Sequence, residues 1–162
     1  MADDVRLVYV NIKDEKMLAK LGEIVTLWAF AEAVVEDTIA GLLETEVLFA
    51  YTVTANVNIS TRLRAVTALA HIRLDDFLFA EFDSIISQMS ALVPFRNKLV
   101  HGLWAETSIP GIAQVAAIKS SNRLKRQNEY VNLDYLIWLS HQVERVATLL
   151  YGFGTRHGLI ES

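Results

Sequence analysis

The stretch from Asp14 to Leu43, DEKMLAKLGEIVTLWAFAEAVVEDTIAGLL, decides the fold. Leu21, Val25, Trp28, Val35, Ile39 and Leu42 recur at three- and four-residue steps, the signature of one apolar helix face. The pattern predicts a helix of roughly eight turns beginning near Asp14 and ending near Leu43 or a little later. Lys20, Glu23, Glu32 and Glu36 interrupt it, so no run approaches the roughly 20 apolar residues that span a bilayer.

Working outward, Tyr51 to Ile59 is β-branched, carries Asn56 and Asn58, and reads as a connection. Asn58 or Ser60 then caps a second helix with Leu63, Val66, Ala70 and Ile72 on its stripe. Asp75 or Asp76 caps a third, with Leu78, Phe82, Ile85, Met89 and Leu92 facing inward. Pro94 either kinks this helix or opens a new one; Phe95 to His101 continues as helix and Gly102 ends it. Leu103 to Ser120 loses the period, and Ile109-Pro110-Gly111 turns between two short runs, predicting a small hairpin or irregular excursion. Ser120 to Glu129 is polar and reads as a loop. Asn132 caps a last helix with Leu136, Leu139, Val143, Val146, Leu150 and Phe153 inward, and the tail after Gly154 is expected to fray. The first dozen residues, rich in Val5, Leu7, Val8, Tyr9, Val10 and Ile12, form a short strand or an extended arm. The expectation is a single all-α domain over residues 1–162, a bundle of four to five helices with a small insertion before the last.

Composition narrows the function. The chain has 162 residues, 52% of them hydrophobic, with 7 Gly, 2 Pro and no Cys. Without cysteine there is no disulfide scaffold, zinc–thiolate site or thiol catalysis. The net charge of −4 means that any phosphate binding must be local. A mean hydropathy of +0.29 leaves surplus apolar surface, which points to a homo-oligomer. The acidic start MADDVRLVYV is unlike a signal peptide, so a cytoplasmic protein without a membrane segment is expected.

The residues suited to chemistry cluster in Pro94-Phe95-Arg96-Asn97-Lys98-Leu99-Val100-His101-Gly102. Asn97 and His101 are four apart and share a helix face, and the long Arg96 side chain can swing round to join them. A guanidinium grips two phosphate oxygens, and an imidazole moves the proton of a ribose 2′-hydroxyl or of a leaving oxygen. The same residues could instead cap carbonyls or pair with a carboxylate, tying the third helix to the first. Glu32 stands on the apolar stripe where an aliphatic residue was due. An inward carboxylate needs a partner: Arg96 or His101, unless Glu32 reaches solvent at the stripe's edge or meets another arginine. Lys119, Arg123, Lys125 and Arg126 form the one concentrated basic run. With Lys98 they are candidate RNA-phosphate contacts, or a solvated loop. Arg62 and Arg64 read as surface residues. His71 and His141 lack partners at metal spacing, His157 lies in the tail, and no metal or cofactor motif is found. Trp138 falls off the main apolar face of the last helix, as a dimer contact or a surface aromatic.

The string RNKLVHG resembles the motif of HEPN domains, in which an arginine, usually followed by a polar residue, precedes a histidine by four to six residues. The order of a long first helix, the motif on a late helix, a variable insertion and a closing helix is similar too. The resemblance implies a HEPN-like helical bundle and a metal-independent endoribonuclease without cofactor, of toxin–antitoxin or phage-defence type. Two protomers would line one cleft, with the RNA 2′-hydroxyl as nucleophile. Arg96 and His101 would be the catalytic pair and Asn97 the polar helper, with an antitoxin as a further partner. Some toxin branches carry a tyrosine two residues after the histidine. Here that position is Leu103, which argues against a tyrosine-dependent variation. Other members of the superfamily are non-catalytic nucleotide- or RNA-binding or protein-interaction modules, which is the alternative reading.

Overall fold

The computed structural model describes residues 12–120 and 124–161. Helix α1 (Glu15–Leu43) starts where the Asp14 carboxylate accepts the backbone N–H groups of Lys16 and Met17, satisfying donors that have no intrahelical partner. It stops where Glu44 enters left-handed backbone and its N–H turns back to the carbonyls of Ala40 and Gly41. The buried face of its first half differs from the expected stripe. Met17, Ile24, Trp28 and Ala31 face the core, whereas Leu21 is half-buried and Val25 exposed. The flank carrying Leu21 and Val25 borders an open groove, because α1 packs on the last helix through the neighbouring stripe.

Part of the expected connection is helical. Helix α2 (Val47–Thr54) includes Tyr51 to Thr54. β-branched residues lower helix propensity by only about 0.7 kcal/mol each at most, and Ala50, fully buried, anchors the short helix on α1. Helix α3 (Ile59–Arg73) is capped by Asn58, whose side chain accepts the Thr61 N–H. Leu63, Val66 and Ala70 point inward, but Ile72 faces solvent. Helix α4 (Asp76–His101) is capped by Asp75 and buries Phe82, Ile85, Met89 and Leu92. It runs through Pro94 as one element. Gly102 closes it by donating to the Lys98 carbonyl. A Cβ there would lie 2.3 Å from that carbonyl oxygen and 2.4 Å from Val115 Cγ2, so only glycine lets the sheet lie this close to the helix end.

The insertion is larger than a hairpin. Strands β1 (Leu103–Glu106), β2 (Ile112–Ser120) and β3 (Leu124–Asn132) form an antiparallel sheet in that order, with Leu103 opposite Ala116 and Ile112 opposite Asn132. Residues 124–129, read as loop from their polarity, are ladder partners of β2. A strand paired on one side tolerates polar side chains where a sheet face meets water. The protein is therefore mostly helical with a small three-stranded sheet, rather than purely α.

Helix α5 (Leu133–Arg156) is capped by Asn132, which accepts the Tyr135 N–H, and all six residues of its expected stripe are buried. The chain beyond it does not fray. The N–H groups of Leu159 and Ile160 both reach the Gly154 carbonyl, and Ile160 is buried against Gly154. The Leu159 carbonyl crosses Gly41 so closely that a Cβ would sit 2.0 Å from it. The strand or arm expected at residues 1–11 lies outside the described residues, although Ile12 is buried. Among the described residues no helix is long and apolar enough to cross a membrane.

Candidate functional site

The last turn of α4 lies beside the middle of α1, and a line of polar groups runs between them. Trp28 and Glu32 are one turn apart on α1, and the indole N–H donates to Glu32 Oε1 at 2.5 Å. The same oxygen stands 3.5 Å from Nη2 of Arg96. Glu32 Oε2 lies 3.6 Å from Nη1 of Arg62, whose shorter contact, 2.8 Å, is to Glu36 Oε1. Arg62 also donates from Nε to the Val57 carbonyl at 2.7 Å, and the Thr54 hydroxyl donates to Glu36 Oε2. Two carboxylates thus face two guanidiniums.

At the open end of this line, Arg96 Nη1 donates to Asn97 Oδ1 at 3.2 Å and approaches His101 Nε2 at 3.5 Å. A guanidinium has no acceptor, so a hydrogen bond across this gap would need Nε2 as its acceptor. Asn97 and His101 are exposed and Arg96 is half-buried. Arg96 Nε is enclosed and has no hydrogen-bond partner. The contacts from Arg96 to Glu32 and His101 are long, so the guanidinium is oriented while its donors are not saturated. A groove of about 290 Å³ opens next to it, walled by Leu21, Val25, Leu99 and Val100 and ending on Glu32 and Arg96.

The structure therefore brings together Arg96, Asn97, His101 and Glu32. It does not bring Lys98 to them. That ammonium is ion-paired with Glu129 of β3 and sits 5.7 Å above the Phe95 ring. Lys119 and Lys125 are opposite one another on β2 and β3, and Arg126 is opposite Ile118, so the basic run belongs largely to a hairpin; Arg123 lies outside the described residues. Trp138 is partly exposed and packs edge-on against Phe95, with Tyr135 beside it, tying α5 to the α4 segment that carries Arg96. Burial, with the Glu129 charge nearby, raises the Tyr135 phenol above its ordinary range.

Two members of the network escaped sequence reasoning. Arg62, read as a surface residue, is only 13% exposed in its side chain, because the buried Glu36 and the partly buried Glu32 both require a cation. Glu32 and Glu36, one turn apart on an apolar helix, are the signal that predicts such a cation. Trp28 was legible as core, but its N–H as the donor to Glu32 was not. Comparison with family models, with curated proteins and with solved structures found no match to the chain.

Proposed function

We propose that this chain is a HEPN-like protein that acts as a homodimeric, metal-independent endoribonuclease. The observation that carries the reading is the approach of the Arg96 guanidinium to the His101 imidazole, 3.5 Å apart at the exposed end of α4. In this reading a scissile phosphate enters between them. Arg96 holds its non-bridging oxygens and offsets the charge that grows in the transition state. His101 takes the proton of the ribose 2′-hydroxyl, whose oxygen forms a bond to phosphorus as the bond to the 5′-oxygen breaks. The leaving oxygen gains a proton from water or from the partner subunit's His101, leaving a 2′,3′-cyclic phosphate and a 5′-hydroxyl. Asn97 and Glu32 are positioning residues for the guanidinium.

The exposed Val25 and Val100, which line the groove, support a second copy there, since such apolar surface favours being covered. Lys119, Arg123, Lys125 and Arg126, the basic run of the sequence, are candidate contacts to the RNA backbone. Lys98 is left out of the phosphate contacts because Glu129 holds it. A toxin of this type, including one in phage defence, is restrained by an antitoxin, which is the further partner. The test is digestion of total RNA by the intact protein in excess chelator. Wild type should cut, and His101→Ala, with an unchanged helical spectrum and oligomeric state, should not. RNA left intact by wild type would overturn the proposal, as would cutting by the variant at the wild-type rate.

A further inference from the structure

Helix α2 is sparsely covered. Leu48, Phe49, Tyr51 and Val53 are 73%, 60%, 55% and 56% exposed, and Ala50 is the one residue it buries. Single apolar residues on a surface are ordinary, but a contiguous cluster marks a place where something binds. Between α1 and α2 runs a groove of about 510 Å³. It is lined by the small Ala29 and Ala33 of α1, by Val47, Leu48 and Tyr51 of α2, and by the charged Glu32, Glu36, Asp37 and Arg62. The small alanine side chains leave room for another backbone to approach α1 closely.

The charge lining this groove is mostly negative: Glu32, Glu36 and Asp37 against the single cation Arg62. From Leu21 to Thr61 the sequence has no Lys, Arg or His, yet it carries Glu23, Glu32, Glu36, Asp37, Glu44 and Glu46. Asp37, Glu44 and Glu46 also line the adjoining cleft of about 670 Å³, together with Glu161. The nearest guanidiniums are engaged: Arg62 with Glu36 and Glu32, and Arg73 with Glu44. No cation among the described residues forms an ion pair with Asp37 or Glu46. Burial pushes the Asp37 carboxyl above its ordinary range, as expected for a carboxylate that no positive charge compensates.

We propose that the α1–α2 groove docks a cationic amphipathic helix of a partner protein. Its apolar stripe would lie on Leu48 and Tyr51, and its Lys or Arg residues over Asp37 and Glu46. Helix-in-groove recognition uses this combination of an apolar trough and complementary rim charge. Nucleic acid and anionic membranes are disfavoured by the same carboxylates. A second copy docked by a two-fold axis is disfavoured too, since it would set Asp37 and Glu46 against their own counterparts. The groove shares Ala29 and Glu32 with the one beside Arg96, but the inference does not depend on RNA cleavage.

The test is a titration of the full chain with three labelled peptides of about five helical turns. One is a leucine–lysine peptide with a single apolar face, one its leucine–glutamate counterpart, and one the leucine–lysine composition scrambled so that no face forms. The facially amphipathic cationic peptide should bind roughly tenfold more tightly than either control, and added salt should weaken it. Leu48→Ser combined with Tyr51→Ser should abolish most of that preference. Glu46→Lys, at an N-cap position that makes no side-chain cap bond, should weaken binding severalfold with the fold intact. Equal binding of the scrambled peptide, or indifference to Glu46→Lys, overturns the proposal. So does a wild-type dimer that the double substitution turns into a monomer, which assigns the groove to a second copy. Co-sedimentation with phosphatidylserine vesicles that requires Leu48 and Tyr51 overturns it as well.

Discussion

Replacing Arg62 by methionine tests the buried network directly. The guanidinium makes three polar contacts, 2.8 Å to Glu36, 3.6 Å to Glu32 and 2.7 Å from Nε to the Val57 carbonyl. Its side chain is 13% exposed and that of Glu36 is 5% exposed, so water screens the pair little. Methionine keeps most of the apolar volume but leaves Glu36 with the Thr54 hydroxyl alone. Removing one partner of a buried ion pair costs about 3–5 kcal/mol, and the remaining hydroxyl places this case near the lower end. Arg62→Met should therefore lower the urea-unfolding free energy, followed by far-ultraviolet circular dichroism, by about 3 kcal/mol. In a chain of this size the melting temperature should fall by roughly 6–12 °C. The Arg62→Met, Glu36→Leu double variant should recover to within about 1 kcal/mol of wild type, because no buried charge is then left alone. A loss below about 1 kcal/mol in the single variant, or a double variant worse than either single one, would refute the reasoning.

Three other perturbations follow from the same contacts. Gly41→Ala drives a methyl into the Leu159 carbonyl, and should destabilise by about 2–3 kcal/mol while raising hydrogen exchange in residues 158–161. Glu32→Gln keeps the shape but removes the charge facing Arg96 and Arg62. Stability should drop by about 1–2 kcal/mol, and RNA cleavage should fall with it; no change in either measurement contradicts the positioning role. Burial makes the ionised form of Asp37 less favourable in the folded chain than in the unfolded one, so its folded pKa is raised. Stability from this group is therefore lost as pH rises through the carboxylate range and stays lower at neutral pH. Asp37→Asn should melt higher than wild type at pH 7, and acidification below the ordinary carboxylate range should erase the difference.

Helix positions were legible where capping residues and periodicity agree. Asp14, Asn58, Asp75 and Asn132 each accept a backbone N–H at a helix start, and the α5 stripe is buried as read. Elements whose stability comes from neighbours were not. The polar β3 is held by its ladder to β2, and α2 by Ala50 and by Thr54 on Glu36. Local propensity contains neither contact. The chain after Gly154 illustrates the same point, since Gly41 and Gly154 make room for it from elsewhere in the sequence. Of the candidate site, the approach of Arg96 to His101 and the reach of Glu32 followed from spacing and a broken stripe. The pairing of Lys98 with Glu129 did not, because it depends on where an insertion folds back.

The ends left on cleaved RNA test the central claim most directly. Wild-type protein in excess chelator should yield 2′,3′-cyclic phosphate and 5′-hydroxyl ends, and substrates with 2′-O-methyl groups should survive intact. Arg96→Ala and His101→Ala, each with an unchanged helical spectrum, should yield no such ends. The account is contradicted if wild type leaves both substrates whole, if the methylated substrate is cut as fast as RNA, or if either variant cuts as wild type does.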